Sequence, residues 1–183
     1  MHKPIPDIVL IGPVRAGKST IGKLLAEALG LPQISLDDLR LDYYREIGYD
    51  EVFAKEIRAK EGFLALVMYR YLFAAYAEER LLADHHACVI DFGAGIYESR
   101  ESFERVQHAL APYRNVILLL PSSDPDESLR ILKERDQNPP ADVHIDLTAR
   151  FLAHHSYYDL ATRTVYTARK TPLETCQEIL NGI

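Results

Sequence analysis

Short apolar runs alternate along the chain with longer stretches in which apolar residues recur at helical spacing. The runs Ile8–Ile11, Gln33–Leu36, Cys88–Asp91, Val116–Leu120 and Thr164–Tyr166 read as short strands. The segments between them read as helices. Lys18–Leu29 ends at Gly30-Leu31-Pro32, a clear C-terminal stop. Asp37–Ile47 stops at Gly48, and Asp50–Ala83 gives two helices broken near Gly62. Ser102–Ala111 stops before Pro112, and Asp126–Arg135 runs into Asp136–Pro140, whose two prolines cannot continue a helix. Leu147–Asp159 and Pro172–Leu180 complete the set. Strands alternating with crossover helices predict an α/β three-layer sandwich on a five-stranded parallel sheet. Periodicity does not supply the strand order. The polar segment 136–146 lies between two helices and reads either as a lid or as a surface loop.

Composition narrows the class. A length of 183 residues points to one domain, 1–183, able to bury its core without disulfides or a structural metal. The formal charge of −6 argues against a broad nucleic-acid surface, while leaving room for a local basic pocket. The two cysteines, Cys88 and Cys176, make no disulfide framework, and a reduced, cytoplasmic setting is expected. The first apolar run is too short for a signal segment. Phe63–Ala77 is interrupted by Arg70 and is too short to span a bilayer, so a buried helix is expected. No nucleic-acid or membrane partner is expected, and the chain is read as a monomer or homodimer.

The strongest chemical signal is Gly12-Pro13-Val14-Arg15-Ala16-Gly17-Lys18-Ser19, followed by Thr20. It has the form G-x-x-x-x-G-K-S between an apolar strand and an amphipathic helix, the context a phosphate-binding loop needs. Gly12 and Gly17 let the backbone turn tightly against a phosphate. The amides then form an anion nest, reinforced by the helix N-terminus. In such a loop Lys18 reaches the β- and γ-phosphates, Ser19 is a magnesium ligand, and Thr20 packs or contacts the α-phosphate. ATP with Mg2+ is the implied cofactor.

What acts on the phosphate is carried by other residues. Asp37 and Asp38 follow the second strand at the edge that faces the ligand crevice in such sheets. A carboxylate there takes a proton from an acceptor hydroxyl, while Asp is also favoured as a helix cap. Asp91 ends an apolar run in the form of a Walker B strand, either placing magnesium or bonding loop amides. Gly93, Ala94 and Gly95 form a turn against which a substrate can lie. Arg130, Lys133 and Arg135 precede segment 136–146, and Arg15 and Arg150 are further candidates to face the phosphates or the acceptor. The paired histidines His85-His86 and His154-His155 make poor chelates, because neighbours on a strand or helix point apart.

With these residues in view, the chain resembles shikimate kinase. Gly12–Thr20 and the helix running to Pro32 look like that family's opening. Ser35-Leu36-Asp37 falls on its D-x-D element, Glu61-Gly62-Phe63 on its E-G-F-R element, and Gly93–Gly95 on its triple-glycine turn. Tyr157–Ala161 resembles its Y-x-x-x-A ending. The resemblance implies strand order 2-3-1-4-5, a mobile lid, and phosphoryl transfer from ATP to a small hydroxylated acceptor. Four departures stand beside it. The family's arginine after G-F falls on Leu64, the one near Y-x-x-x-A falls at about Ala153, Asn138-Pro139-Pro140 replaces an arginine-proline lid element, and the first D-x-D aspartate falls on Ser35. A carboxylate held without bidentate arginine loses its main anchor. The expectation is therefore a shikimate-kinase-like small-molecule kinase with an altered acceptor. The alternative is a nucleotide-binding regulatory protein without phosphotransfer. A GTPase-type switch lacks the N-K-x-D guanine motif.

Overall fold

The fold was obtained as a computed structural model, which describes residues 7–93, 97, 99–136 and 146–183. Five strands form one sheet: β1 (Ile8–Ile11), β2 (Gln33–Ser35), β3 (Val89–Asp91), β4 (Asn115–Leu120) and β5 (Arg163–Tyr166). All neighbours pair in parallel, in the order β2-β3-β1-β4-β5. The helices are α1 (Lys18–Leu29), α2 (Leu36–Glu46), α3 (Glu51–Glu61), α4 (Phe63–Asp84), α5 (Arg100–Leu110), α6 (Pro125–Arg135), α7 (Leu147–Ala153), α8 (Ser156–Leu160) and α9 (Pro172–Leu180).

The apolar runs are buried on both faces, as a central parallel sheet requires. Alternation along each strand divides the core in two. Ile8, Leu10, Val89, Ile117 and Leu119 face α1 and α9, meeting Ile21, Leu25, Cys176 and Ile179. Val9, Ile11, Ile90, Val116, Leu118 and Leu120 face the opposite layer, built from α2, α4, α5 and α8. This is the three-layer sandwich expected from the pattern.

Helix boundaries follow local chemistry. Gly30 closes α1 in the left-handed conformation. Asp50 caps α3, Asp124 caps α6 ahead of Pro125, and Thr171 with Glu174 forms a capping box on α9. Gly62, at φ 91°, separates α3 from α4, which fits the expected break. One expectation is corrected. Leu147–Asp159 is two helices, because His154 turns extended at the end of α7 and its Nδ1 pairs with the Ser156 hydroxyl, 2.7 Å away. Strand β2 also ends one residue early: Ser35 is already the N-cap of α2, so Leu36 is helical.

Among the described residues no helix is long and apolar enough to cross a membrane. Both cysteines are buried and free.

Candidate active site

The chain leaves β1 at Ile11 and enters α1 at Lys18, and the six residues between turn at the carboxyl edge of the sheet. Neighbours of β1 on either side, β3 and β4, lead to different layers, so this edge is a switch point where a crevice opens. Gly12 has φ 146°, and a Cβ there would lie 2.5 Å from the Leu119 carbonyl oxygen. Only glycine fits that position. Gly17 has φ 98°, and Arg15 adopts the left-handed region at φ 67° although it carries a side chain. Pro13 and Ala16 are buried, whereas Val14, Arg15 and Thr20 are exposed.

Lys18 is buried and folds back over its own loop, donating to the carbonyls of Gly12 and Pro13 at 3.0 Å each. Burial pulls its pKa below the ordinary lysine value, and the charges of Asp91 and Asp37 oppose that shift. Ser19 donates its hydroxyl to Asp91 Oδ2 at 2.5 Å, and the Gly93 N–H donates to Asp91 Oδ1 at 3.3 Å. The register Leu10↔Asp91 and Ser35↔Asp91 sets that carboxylate beside the loop on one side and the start of α2 on the other.

Asp37 and Asp38 occupy the first turn of α2, where carboxylates complement the helix dipole, while Ser35 holds the N-cap position. Asp37 is paired with Arg40 one turn later at 3.0 Å, and its Oδ1 lies 3.6 Å from the position of a Cβ on Gly93. Lys18, Asp91, Gly93 and Asp37 therefore meet at one edge. Asp38 is exposed.

The end of α6 clasps the loop tip from the other side. Arg135 donates to the Arg15 carbonyl at 3.2 Å, and Arg15 pairs with Asp136 at 3.2 Å. Lys133 pairs with Asp146 at 2.5 Å, and Asp146 caps α7. Burial pushes the Asp146 pKa up, but Lys133 and the amides of Ala149 and Thr148 outweigh it and hold the carboxyl below its usual value. Both borders of segment 137–145 are thus tied by ion pairs. Arg130 pairs with Glu134 on the exposed face of α6, about 140° around the helix from Arg135. Arg150 is half-buried on α7, one turn after Asp146. Ala94, Gly95 and residues 137–145 lie outside the described residues. An open groove of about 680 Å³ flanks the loop, lined by Ser19, Thr20 and Glu27 and by Thr171–Leu173 at the start of α9. Among the described residues no three His, Cys, Asp or Glu side chains cluster as a metal cage.

Sequence reasoning missed Arg40, although it carried a readable signal, lying three residues after Asp37.

A phosphate-binding loop at a switch point, with a Ser–Asp pair beside it and a carboxylate facing it, defines a P-loop phosphotransferase. The shikimate kinase family model matches residues 15–183. A shikimate kinase of Streptomyces coelicolor is 32% identical over 186 residues, covering 97% of this chain and 95% of that protein. The chain belongs to the shikimate kinase family and is an ATP-dependent small-molecule kinase. Solved structures agree in fold. Shikimate kinase from Acinetobacter baumannii in complex with shikimate gives a TM-score of 0.63 at 23% identity, covering 97% of this chain and 92% of that one. A gluconokinase from Sinorhizobium meliloti gives 0.53 at 19% identity, covering 99% and 93%.

Proposed function

We propose that the chain transfers the γ-phosphoryl group of ATP to a hydroxyl of a small acceptor that is held differently from the acceptor of its family. The observation that carries this reading is the meeting of Lys18, Asp91, Gly93 and Asp37 at one sheet edge. The loop amides and Lys18 take the phosphates, Lys18 exchanging its two loop carbonyls for phosphate oxygens. The Ser19 hydroxyl and Asp91 carboxylate offer hard oxygen donors of the kind magnesium takes, and their 2.5 Å contact puts both donors at one point. Magnesium bound there would neutralise charge on the phosphates.

Asp37 accepts the proton of the acceptor hydroxyl as its oxygen bonds to the γ-phosphorus. The bond from that phosphorus to the β–γ bridging oxygen breaks, and ADP leaves with the electron pair. Asp37 suits this role because it is 59% exposed at a crevice edge and held in place by Arg40. Arg15, Arg135 and Arg150 supply positive charge around the transferring group. Gly93 lines the acceptor's side of the site, and the same role expected of Ala94 and Gly95 falls outside the described residues. The altered acceptor follows from Leu64, which stands where the family resemblance puts a carboxylate-binding arginine.

ADP release from ATP and Mg2+ across shikimate, sugars, nucleosides and aminoglycosides tests the proposal. Acceptor-dependent release that disappears in Lys18→Ala and Asp37→Asn supports it. Tight ATP binding with no acceptor-dependent release would replace it with the regulatory reading.

A further inference from the structure

The loop between β1 and α1 takes positive φ at three positions, and only two of them are glycines. Gly12 and Gly17 have φ 146° and 98°, whereas the third, at φ 67°, is Arg15. The left-handed region is costly for a residue with a Cβ, and glycine would occupy it without that cost. Backbone strain of this kind persists where surrounding contacts over-determine the conformation, and such places cluster at ligand clamps. Here the contacts come from the end of α6. Arg135 donates to the Arg15 carbonyl at 3.2 Å, and the Arg15 guanidinium pairs with Asp136 at 3.2 Å.

The two contacts differ in what they require. The first uses the main chain, which any residue at position 15 would offer. The second is what arginine adds. It is an exposed pair, with Arg15 at 48% and Asp136 at 31%, and exposed pairs are weak. A triphosphate carries more charge than one carboxylate, and its paired oxygens match the planar guanidinium fork. Arg15 stands three residues before Lys18, whose ammonium spans the carbonyls of Gly12 and Pro13 at the mouth of the loop. Other cations near the loop are engaged elsewhere. Arg130 pairs with Glu134, Lys133 pairs with Asp146, and Arg135 holds the Arg15 carbonyl. Arg15 belongs to the loop itself, so its place beside the phosphates does not depend on segment 137–145.

We propose that Arg15 is a catalytic residue whose guanidinium exchanges Asp136 for the γ-phosphate of ATP. It donates to the γ-phosphate oxygens while the acceptor oxygen bonds to the phosphorus and the bond to the bridging oxygen breaks. ADP leaves with the electron pair, and the acceptor proton passes to Asp37. Asp136 competes with the γ-phosphate for the same cation. The transfer step rests on the phosphotransfer reading, whereas the contact with the γ-phosphate does not. The exchange also gives the departure at Asn138-Pro139-Pro140 a physical answer. A charge that the resemblance puts on the lid is carried by the phosphate loop.

Variants at position 15 separate a catalytic side chain from a structural one. Arg15→Gly removes the strain and the cation together, and Arg15→Asn removes the cation but tolerates the left-handed region. Both are expected to lower kcat about 10²- to 10³-fold with no fall in urea midpoint. Calorimetry with Mg2+ compares ADP with an ATP analogue whose β–γ bridge is an imido group. Affinity for the analogue is expected to fall about 10-fold in both variants, while ADP affinity stays unchanged. Arg15→Lys is expected to recover part of each loss. Asp136→Asn, which frees Arg15 from its competitor, is expected to bind the analogue several-fold tighter and ADP as before. Unchanged analogue affinity in Arg15→Gly and Arg15→Asn overturns the proposal, as does an equal loss for ADP and the analogue. A kcat loss that follows a falling urea midpoint in both variants overturns it too. If the Arg15 variants fail to fold, analogue affinity in Asp136→Asn no higher than in wild type overturns the exchange. A wild type that turns over no acceptor would sink the phosphotransfer reading, and a selective analogue loss in the Arg15 variants would leave the γ-phosphate contact standing.

Discussion

The phosphate side of the site and the acceptor side are built in opposite ways. The phosphate side is contiguous: residues 12–19 form one turn, and Lys18 bonds carbonyls only 6 and 5 positions before it. Its geometry is mostly backbone, set by glycines at positive φ and by a close approach to β4 that excludes any side chain at Gly12. The acceptor side is assembled from Asp37 and Arg40 on α2 and the turn after β3. Its chemistry is mostly side chains, and those of Asp37 and Arg40 are exposed at 59% and 37%. A backbone cradle tolerates little change and serves any acceptor. A side-chain cleft can change its ligand with one substitution.

The sharpest way to break this division is Lys18→Ala. Removing a preorganised cation from the phosphoryl site is expected to lower kcat by about 10²- to 10³-fold. The same factor is expected for every acceptor that is turned over if Lys18 contacts only the phosphates. Steady-state kinetics on two unlike acceptors checks this. A loss that depends on the acceptor would mean the two sides are not separable.

Asp37→Asn probes the other side. Loss of the proton acceptor is expected to lower kcat by about 10²- to 10⁴-fold while the ADP dissociation constant stays as it was. Calorimetry with ADP alone separates the two readouts. A matching loss of ADP affinity would place Asp37 on the phosphate side, through its field at Lys18.

Gly93 stands on the border between the halves. Its φ of 76° is costly for any other residue, although a Cβ would meet only ordinary contacts, 3.6 Å from Asp37 Oδ1 and 3.8 Å from Leu36. Gly93→Ala is therefore expected to cost about 1–2 kcal/mol of backbone strain. The same strain also displaces the amide that bonds Asp91. The expected outcome is a several-fold rise in acceptor KM with a smaller rise in ATP KM. Equal rises would show that the turn serves magnesium placement more than the acceptor.

The contrast also explains what the sequence disclosed. The loop was legible because glycines, a strand and a helix adjoin along the chain, so local chemistry determines local shape. The strands were legible because a sheet buried on both faces needs continuous apolar runs, as in Asn115–Leu120. The division of Leu147–Asp159 was hidden, since the His154–Ser156 contact that accompanies it does not disturb the apolar spacing. Strand order came only through the family resemblance. Glu78 was hidden for a deeper reason. Its partner Tyr97 lies beyond β3, and that approach is a property of packing rather than of α4 alone.

Glu78 offers the smallest and most selective test. It is 1% exposed, accepts a hydrogen bond from the Tyr97 hydroxyl, and among the described residues its Oε2 has no partner. Burial raises its pKa to about 8 from the ordinary 4.5, the Tyr97 bond opposes that shift, and Glu79 adds to it. The folded state therefore holds this proton more tightly than the unfolded chain does. The associated stability is complete below pH 4.5, declines as pH rises toward 8, and is gone above that. Urea midpoints are expected to fall across this window in wild type and to stay flatter in Glu78→Gln. The gap is expected to reach, at most, on the order of a few kcal/mol near pH 8.5. Glu78 lies on α4, which packs against α2, the helix that carries Asp37. The acceptor KM is therefore expected to rise with pH across this window more than the ATP KM does. A parallel rise of both would mean that ionising Glu78 loosens the whole sheet, and the two halves would then share one source of rigidity.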